Sequence, residues 1–233
     1  MRRVSKTALS LIFGVVLLGA CAAPAPVQGP RQASVLSELS LCDARVCWQG
    51  HSLSLLTPEQ VQADVRQLPG YEEAEINKLW SEGDITLYGW NSVGERFVQL
   101  VMHNNTPIVF ARALRDDVTL GEVVNRLGDP SHVLVRVYPN PELILVGVDM
   151  IFESQGLIFS ATPAKGMGQY DVTSNLRGHS YTLTAPQDPG AMYAAALYPM
   201  YGPSKLDLAA VGNDLAKLMQ PWRGYGRYEV KSP

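Results

Sequence analysis

The sequence predicts an α+β fold: an antiparallel sheet with short capped helices on one face, built from two tandem helix-plus-three-strand units. Three observations predict it. Thr57 and Thr119 each stand immediately before a short amphipathic segment. Each segment runs out at a glycine and a proline, and each is followed by three apolar, β-rich runs separated by turn residues. The two threonines lie 62 residues apart, as two copies of one unit require; chance spacing of two common helix starts is the alternative.

The first unit covers residues 40–115. In Thr57-Pro58-Glu59-Gln60, Thr57 is the N-cap, Pro58 takes the first helical position, and Gln60 is placed to complete a capping box. Val61, Val65 and Leu68 then line one face, and Leu68-Pro69-Gly70 stops the helix. After a polar stretch to Gly83, strands are predicted at 84–90, 96–103 and 108–114, broken at Val93-Gly94 and at Asn104-Asn105-Thr106-Pro107. The second unit covers residues 116–165. Thr119-Leu120-Gly121-Glu122 is a second capping box, Leu120, Val123, Val124 and Leu127 form the apolar face, and Gly128 and Pro130 end the helix. Strands follow at 132–138, 143–152 and 156–161. Residues 166–233 read as a C-terminal strand and helices packed on the same domain: a strand at 179–185, a short helix at 189–197 closed by Tyr198-Pro199, and a helix opened by Ser204-Lys205-Leu206-Asp207. Gly212 is a weak point in that last helix.

The N-terminus reads as an address. Arg2, Arg3 and Lys6 form a positive region, and residues 8–20 are almost wholly apolar. Thirteen residues suit a signal peptide better than a spanning helix, which needs roughly 20. The run ends in Leu18-Gly19-Ala20-Cys21. This motif resembles the lipobox of bacterial lipoproteins, and the resemblance implies that residues 1–20 are removed, that the Cys21 thiol carries a diacylglyceryl group and that its new amine is acylated, with chains such as palmitate. Burial of acyl chains contributes about 0.8 kcal/mol per CH₂, so two or three chains anchor firmly. An ordinary secretory signal or an uncleaved anchor is the alternative. Residues 21–39, rich in Ala and Pro, form a tether between lipid and fold. Ala22 follows the cysteine, which in a host with two membranes implies the outer one. The expected location is the exported side of the bacterial cell envelope.

A second resemblance lies at residues 119–130. Thr119-Leu120-Gly121-Glu122-Val123 through Leu127-Gly128-Asp129-Pro130 is similar to a segment of the SmpA/OmlA lipoproteins. That family includes a component of outer-membrane β-barrel assembly. The resemblance implies a β-lactamase-inhibitor-protein-like fold of helices on a short antiparallel sheet; by itself it does not assign a function.

The chemistry-bearing residues are few. Cys42 and Cys47 are spaced for a structural disulfide in an oxidising compartment; free thiols are the alternative, and a metal or redox site has little support around them. His51, His103, His132 and His179 stand apart from one another, outside any metal-ligand spacing. No nucleophile elbow or phosphate-binding loop is legible, so neither a catalytic residue, a metal nor a cofactor is expected. The net charge is −3, and −6 without the first three basic residues, which argues against nucleic acid as a partner. Trp222, Arg223 and Tyr225 suit contact with a protein; a tail packed over the edge of the core is the alternative. The sequence favours a membrane-anchored, non-enzymatic module that binds an envelope protein. A lipid-anchored enzyme or small-ligand-binding protein with a dispersed site is the competing class.

The anchor is directly testable. Cys21→Ser leaves an unprocessed precursor that takes up no radiolabelled palmitate; label still incorporated into that variant would overturn the assignment.

Overall fold

Strand pairing organises the chain around a joint between two antiparallel meanders. The computed structural model describes residues 35–91, 97–114, 118–138, 145–165, 169–185, 188–202 and 207–231. Cys21, the lipobox, the tether up to residue 34 and the predicted cap residues Ser204 to Leu206 lie outside the described residues.

A 3-10 turn, Val35–Glu38, leads into a small sheet of β1 (Leu39–Cys42), β2 (Arg45–Trp48) and β3 (His51–Ser52). The β2–β3 turn places Gln49 and Gly50 at φ 51° and 80°, as a two-residue hairpin requires. Cys42 of β1 and Cys47 of β2 are joined as a disulfide across the β1–β2 hairpin, with Cα atoms 5.7 Å apart. Helix α1 (Pro58–Val65) follows, then β4 (Asn77–Glu82), β5 (Ile85–Asn91), β6 (Phe97–His103) and β7 (Thr106–Ala113). Helix α2 (Leu120–Leu127) opens the second half, with β8 (His132–Tyr138), β9 (Leu145–Phe152), β10 (Leu157–Lys165), β11 (Gln169–Val172) and β12 (Gly178–Thr184). Helices α3 (Pro189–Tyr201) and α4 (Leu208–Leu218) and strands β13 (Gln220–Pro221) and β14 (Gly226–Glu229) complete the fold, which is α+β.

The large sheet has nine strands in the order β13-β8-β9-β10-β12-β7-β6-β5-β4, every pair antiparallel. Outward from the β7–β12 pairing, β7-β6-β5-β4 on one side mirrors β12-β10-β9-β8 on the other. Each half therefore carries four strands, where the sequence predicts three, and the two-residue β13 is added beyond β8 as the ninth. The extra strand of the first half is β4, within the stretch read as polar. Its alternation is hidden because the register shifts between Lys78 and Trp80, so that Leu79 and Trp80 are consecutive apolar residues in a β-bulge. The extra strand of the second half is β12, which the sequence assigns to the C-terminal remainder.

Helices cover both faces of the sheet rather than one. On the first face, Val61 and Val65 of α1 and Leu120, Val123 and Leu127 of α2 share a core with Val98, Leu100, Phe110, Val133, Val135 and Phe159. Alternate strand residues point the other way. Leu134, Ile151 and Ile158 pack there against Met192, Tyr193 and Leu197 of α3 and Leu208 and Leu215 of α4. The helix predicted at 189–197 runs on through Pro199 to Tyr201. Proline lacks a donor there, and packing of Leu197 and Tyr198 on the sheet holds the last turn in place.

The caps differ in detail. At α2, the Thr119 hydroxyl accepts from the Glu122 amide at 3.3 Å and Glu122 accepts from the Thr119 amide at 2.8 Å, a reciprocal box. At α1, Thr57 accepts from the Gln60 amide at 3.2 Å, but the Gln60 side chain donates to Asp64 at 3.0 Å instead of returning to the cap. The last helix is capped by Asp207, whose carboxylate accepts from the Ala210 amide at 3.0 Å.

Gly212 has a packing purpose. A Cβ built on it would lie 2.3 Å from the Gly190 carbonyl oxygen and 2.8 Å from the Ala194 Cβ, so α3 and α4 touch backbone to backbone. Gly212→Ala gains about 1 kcal/mol of helix propensity and loses about 1–3 kcal/mol to overpacking. The expected outcome in chemical denaturation is a destabilised protein; a stabilised one would show that the two helices separate easily.

Candidate functional site

The cross-strand register assembles a polar floor on the second face of the sheet. Asp149, Ser160 and Ser180 are direct neighbours across β9, β10 and β12. One row along, Thr182, Ala111 and Gln99 are neighbours across β12, β7 and β6. Their short side chains leave a cavity of about 340 Å³ between the sheet and α3. Phe97, Ile158, Leu197 and Met200 supply its apolar walls, and His179 stands exposed at its rim.

One end of this floor carries a compact polar group. Asp149 is only 2% exposed. It accepts hydrogen bonds from the Arg136 Nε at 3.4 Å and from the Tyr193 hydroxyl. The Arg136 guanidinium also lies over the Tyr193 ring, 5.4 Å from its centroid. Opposite charges and a hydroxyl donor satisfy the buried carboxylate, so the group tolerates burial. Sequence reading missed these residues. The one signal was an aspartate inside the apolar run Val146-Gly147-Val148-Asp149-Met150-Ile151.

A second cavity, also about 340 Å³, lies beyond the last turn of α3, lined by Trp80, Glu82, Pro199, Met200 and Tyr201 among others. Met200 is 64% exposed, Leu79 45% and Tyr201 42%. Met200 and Tyr201 line this cavity together, so the end of α3 presents two large, open side chains to it, while Leu79 is Trp80's neighbour in the β4 bulge.

The residues singled out from sequence are dispersed. Trp222 is half-buried against the first-face core, edge-on to Tyr225 at 5.5 Å and stacked on buried Tyr228 at 6.1 Å. Arg223 lies over the Tyr228 ring at 5.2 Å, and Tyr225 is 45% exposed. Partial burial, then the Asp129 carboxylate, raise the Tyr225 phenol above its ordinary range. His51 lies 3.7 Å from Asp64, and His132 hydrogen-bonds Ser131 at 3.0 Å. Among the described residues, no three His, Cys, Asp or Glu side chains converge as metal ligands, and no helix is long and apolar enough to cross a membrane.

The first face holds a second buried polar network. Arg112 forms an ion pair with Glu38, which also accepts from the Trp48 indole at 3.3 Å. Tyr181 lies beside Arg112 across β12 and β7. Burial pushes the Tyr181 phenol above the usual tyrosine range, and the Arg112 charge only partly opposes this. No protein-family model, curated protein or solved structure matches the chain.

The raised Tyr181 makes stability pH-dependent. Its contribution is complete below the ordinary tyrosine value and is lost as pH rises past about 10, where only the unfolded phenol ionises. Tyr181→Phe therefore flattens the alkaline fall in unfolding free energy relative to the parent; an identical alkaline slope would show that the folded phenol ionises normally.

Proposed function

We propose that the chain is a bacterial envelope lipoprotein, acylated at Cys21, that acts as a non-enzymatic protein-binding module. The lipobox at Leu18-Gly19-Ala20-Cys21 supports the anchor, and the Ala- and Pro-rich segment after it supports a stand-off from the membrane. The observation that carries the binding role is the pair of exposed side chains Met200 and Tyr201, which line one cavity at the end of α3. Grouped exposed apolar side chains mark sites of contact with another molecule. We also read the two halves as copies of one unit, supported by the mirrored strand order and by the threonine caps of α1 and α2. The likeness of residues 119–130 to the SmpA/OmlA lipoproteins is in keeping with an envelope assembly or support role. It falls on α2 and its cap, which are part of the core.

The partner is a protein of the same membrane, met at β4 and the end of α3. In membrane-preserving cross-linking, Met200→Asp combined with Tyr201→Ala abolishes the adduct seen with the parent chain while leaving the melting temperature nearly unchanged. Tyr225→Ala reads the opposite edge of the sheet, where Arg223 and Tyr225 are exposed and Trp222 is partly covered. Loss confined to Tyr225→Ala would move the interface to those residues, and retention in both variants would overturn the proposal.

A further inference from the structure

We propose that the cavity beneath α3 binds a small uncharged saccharide. The floor offers neutral hydrogen-bonding groups: the Gln99 amide and the hydroxyls of Ser160, Ser180 and Thr182. Among the described residues, no side-chain hydrogen bond engages any of these four. Hydroxyl and amide groups both donate and accept, which matches a ligand whose own groups do both. The charged side chains of the floor, Arg136 and Asp149, are paired with each other, so together they add no net charge. A charged ligand entering here would meet no net opposite charge to offset the loss of its own hydration. A wholly apolar ligand would leave the amide and hydroxyls without partners as water is displaced. A pyranose avoids both penalties. Its hydroxyl edge faces the floor, and its C–H face lies against Phe97, Leu197 and Met200. The volume of about 340 Å³ is at the small end of ligand sites, which favours one or two sugar rings.

The site shares Met200 with the protein contact proposed above, but its floor comes from the sheet interior rather than from β4, and the variants below leave Met200 unchanged, so failure of one proposal is distinguishable from failure of the other. The test is calorimetric titration of the full chain, held in a detergent without a sugar headgroup, against glucose, N-acetylglucosamine and a neutral blocked dipeptide. At least one of the two sugars binds saturably. Ser180→Ala combined with Thr182→Val, which removes two hydroxyls at nearly constant volume, weakens that binding by about tenfold with the melting temperature preserved. A second variant, Ala111→Leu, fills the floor and abolishes binding. No saturable heat with either sugar, binding indifferent to both variants, or preference for the dipeptide would each overturn the proposal.

Discussion

Strands β7 and β12 meet along a single line of pairing, from Ala113 opposite Ser180 to Val109 opposite Thr184, and the two halves of the sheet are continuous only through it. The first face of that line is where the N-terminal hairpin comes down. Trp48 packs on Phe110 with ring centroids 4.5 Å apart, and Phe110 lies next to Tyr181 at 6.4 Å. Between these rings sit the paired charges of Glu38 and Arg112, both largely shielded from water. Withdrawing such ions from solvent is unfavourable by several kcal/mol each, so the pair contributes little as a source of net stability. Its effect is on register. A one-residue slip of β7 would turn Arg112 to the other face and leave Glu38 buried without a counter-charge.

The second face is shaped by what the same strands can place on their alternate residues. Ile158, Ile151 and Leu134 give α3 and α4 something to rest on. Toward β12 and β7 the residues shrink to Ser160, Ser180 and Ala111, and the helix cannot follow them down because Leu197 and Tyr193 already bear on the taller part of the floor. A cavity is the geometric result of a helix spanning a step in side-chain size. The carboxylate of Asp149 sits at that step, where Arg136 and Tyr193 satisfy it.

Most of the local structure was legible because it rests on signals confined to a few residues. The caps at Thr57 and Thr119, the stop at Gly128 and the turn at Asn104-Asn105 need no knowledge of distant partners. Elements that depend on distant contacts were read less well. Strand β4 is mostly exposed and bulged, so its apolar residues fall out of the two-residue period, and pairing with β5 alone defines it. Gly212 reads as a propensity defect until Gly190 is placed opposite it. The cavity floor was invisible because Gln99, Ser160 and Thr182 are unremarkable strand residues on three different strands, brought together by register.

The two edges of the sheet are finished differently. The outer side of β8 is closed off: Gln220 and Pro221 pair with Val133 and His132, the Trp222 amide donates to the Ser131 carbonyl, and the Lys231 amide donates to that of Val135. Pro221 itself has no amide hydrogen to offer a newcomer. Among the described residues, β4 has no neighbour on its outer side. Open-ended stacking of sheets, edge onto opposite edge, requires two receptive margins on each molecule. Among the described residues the nine-stranded sheet has one, so growth of that sheet by strand addition at β4 stops with the first molecule added, and the tail that covers β8 caps the opposite margin.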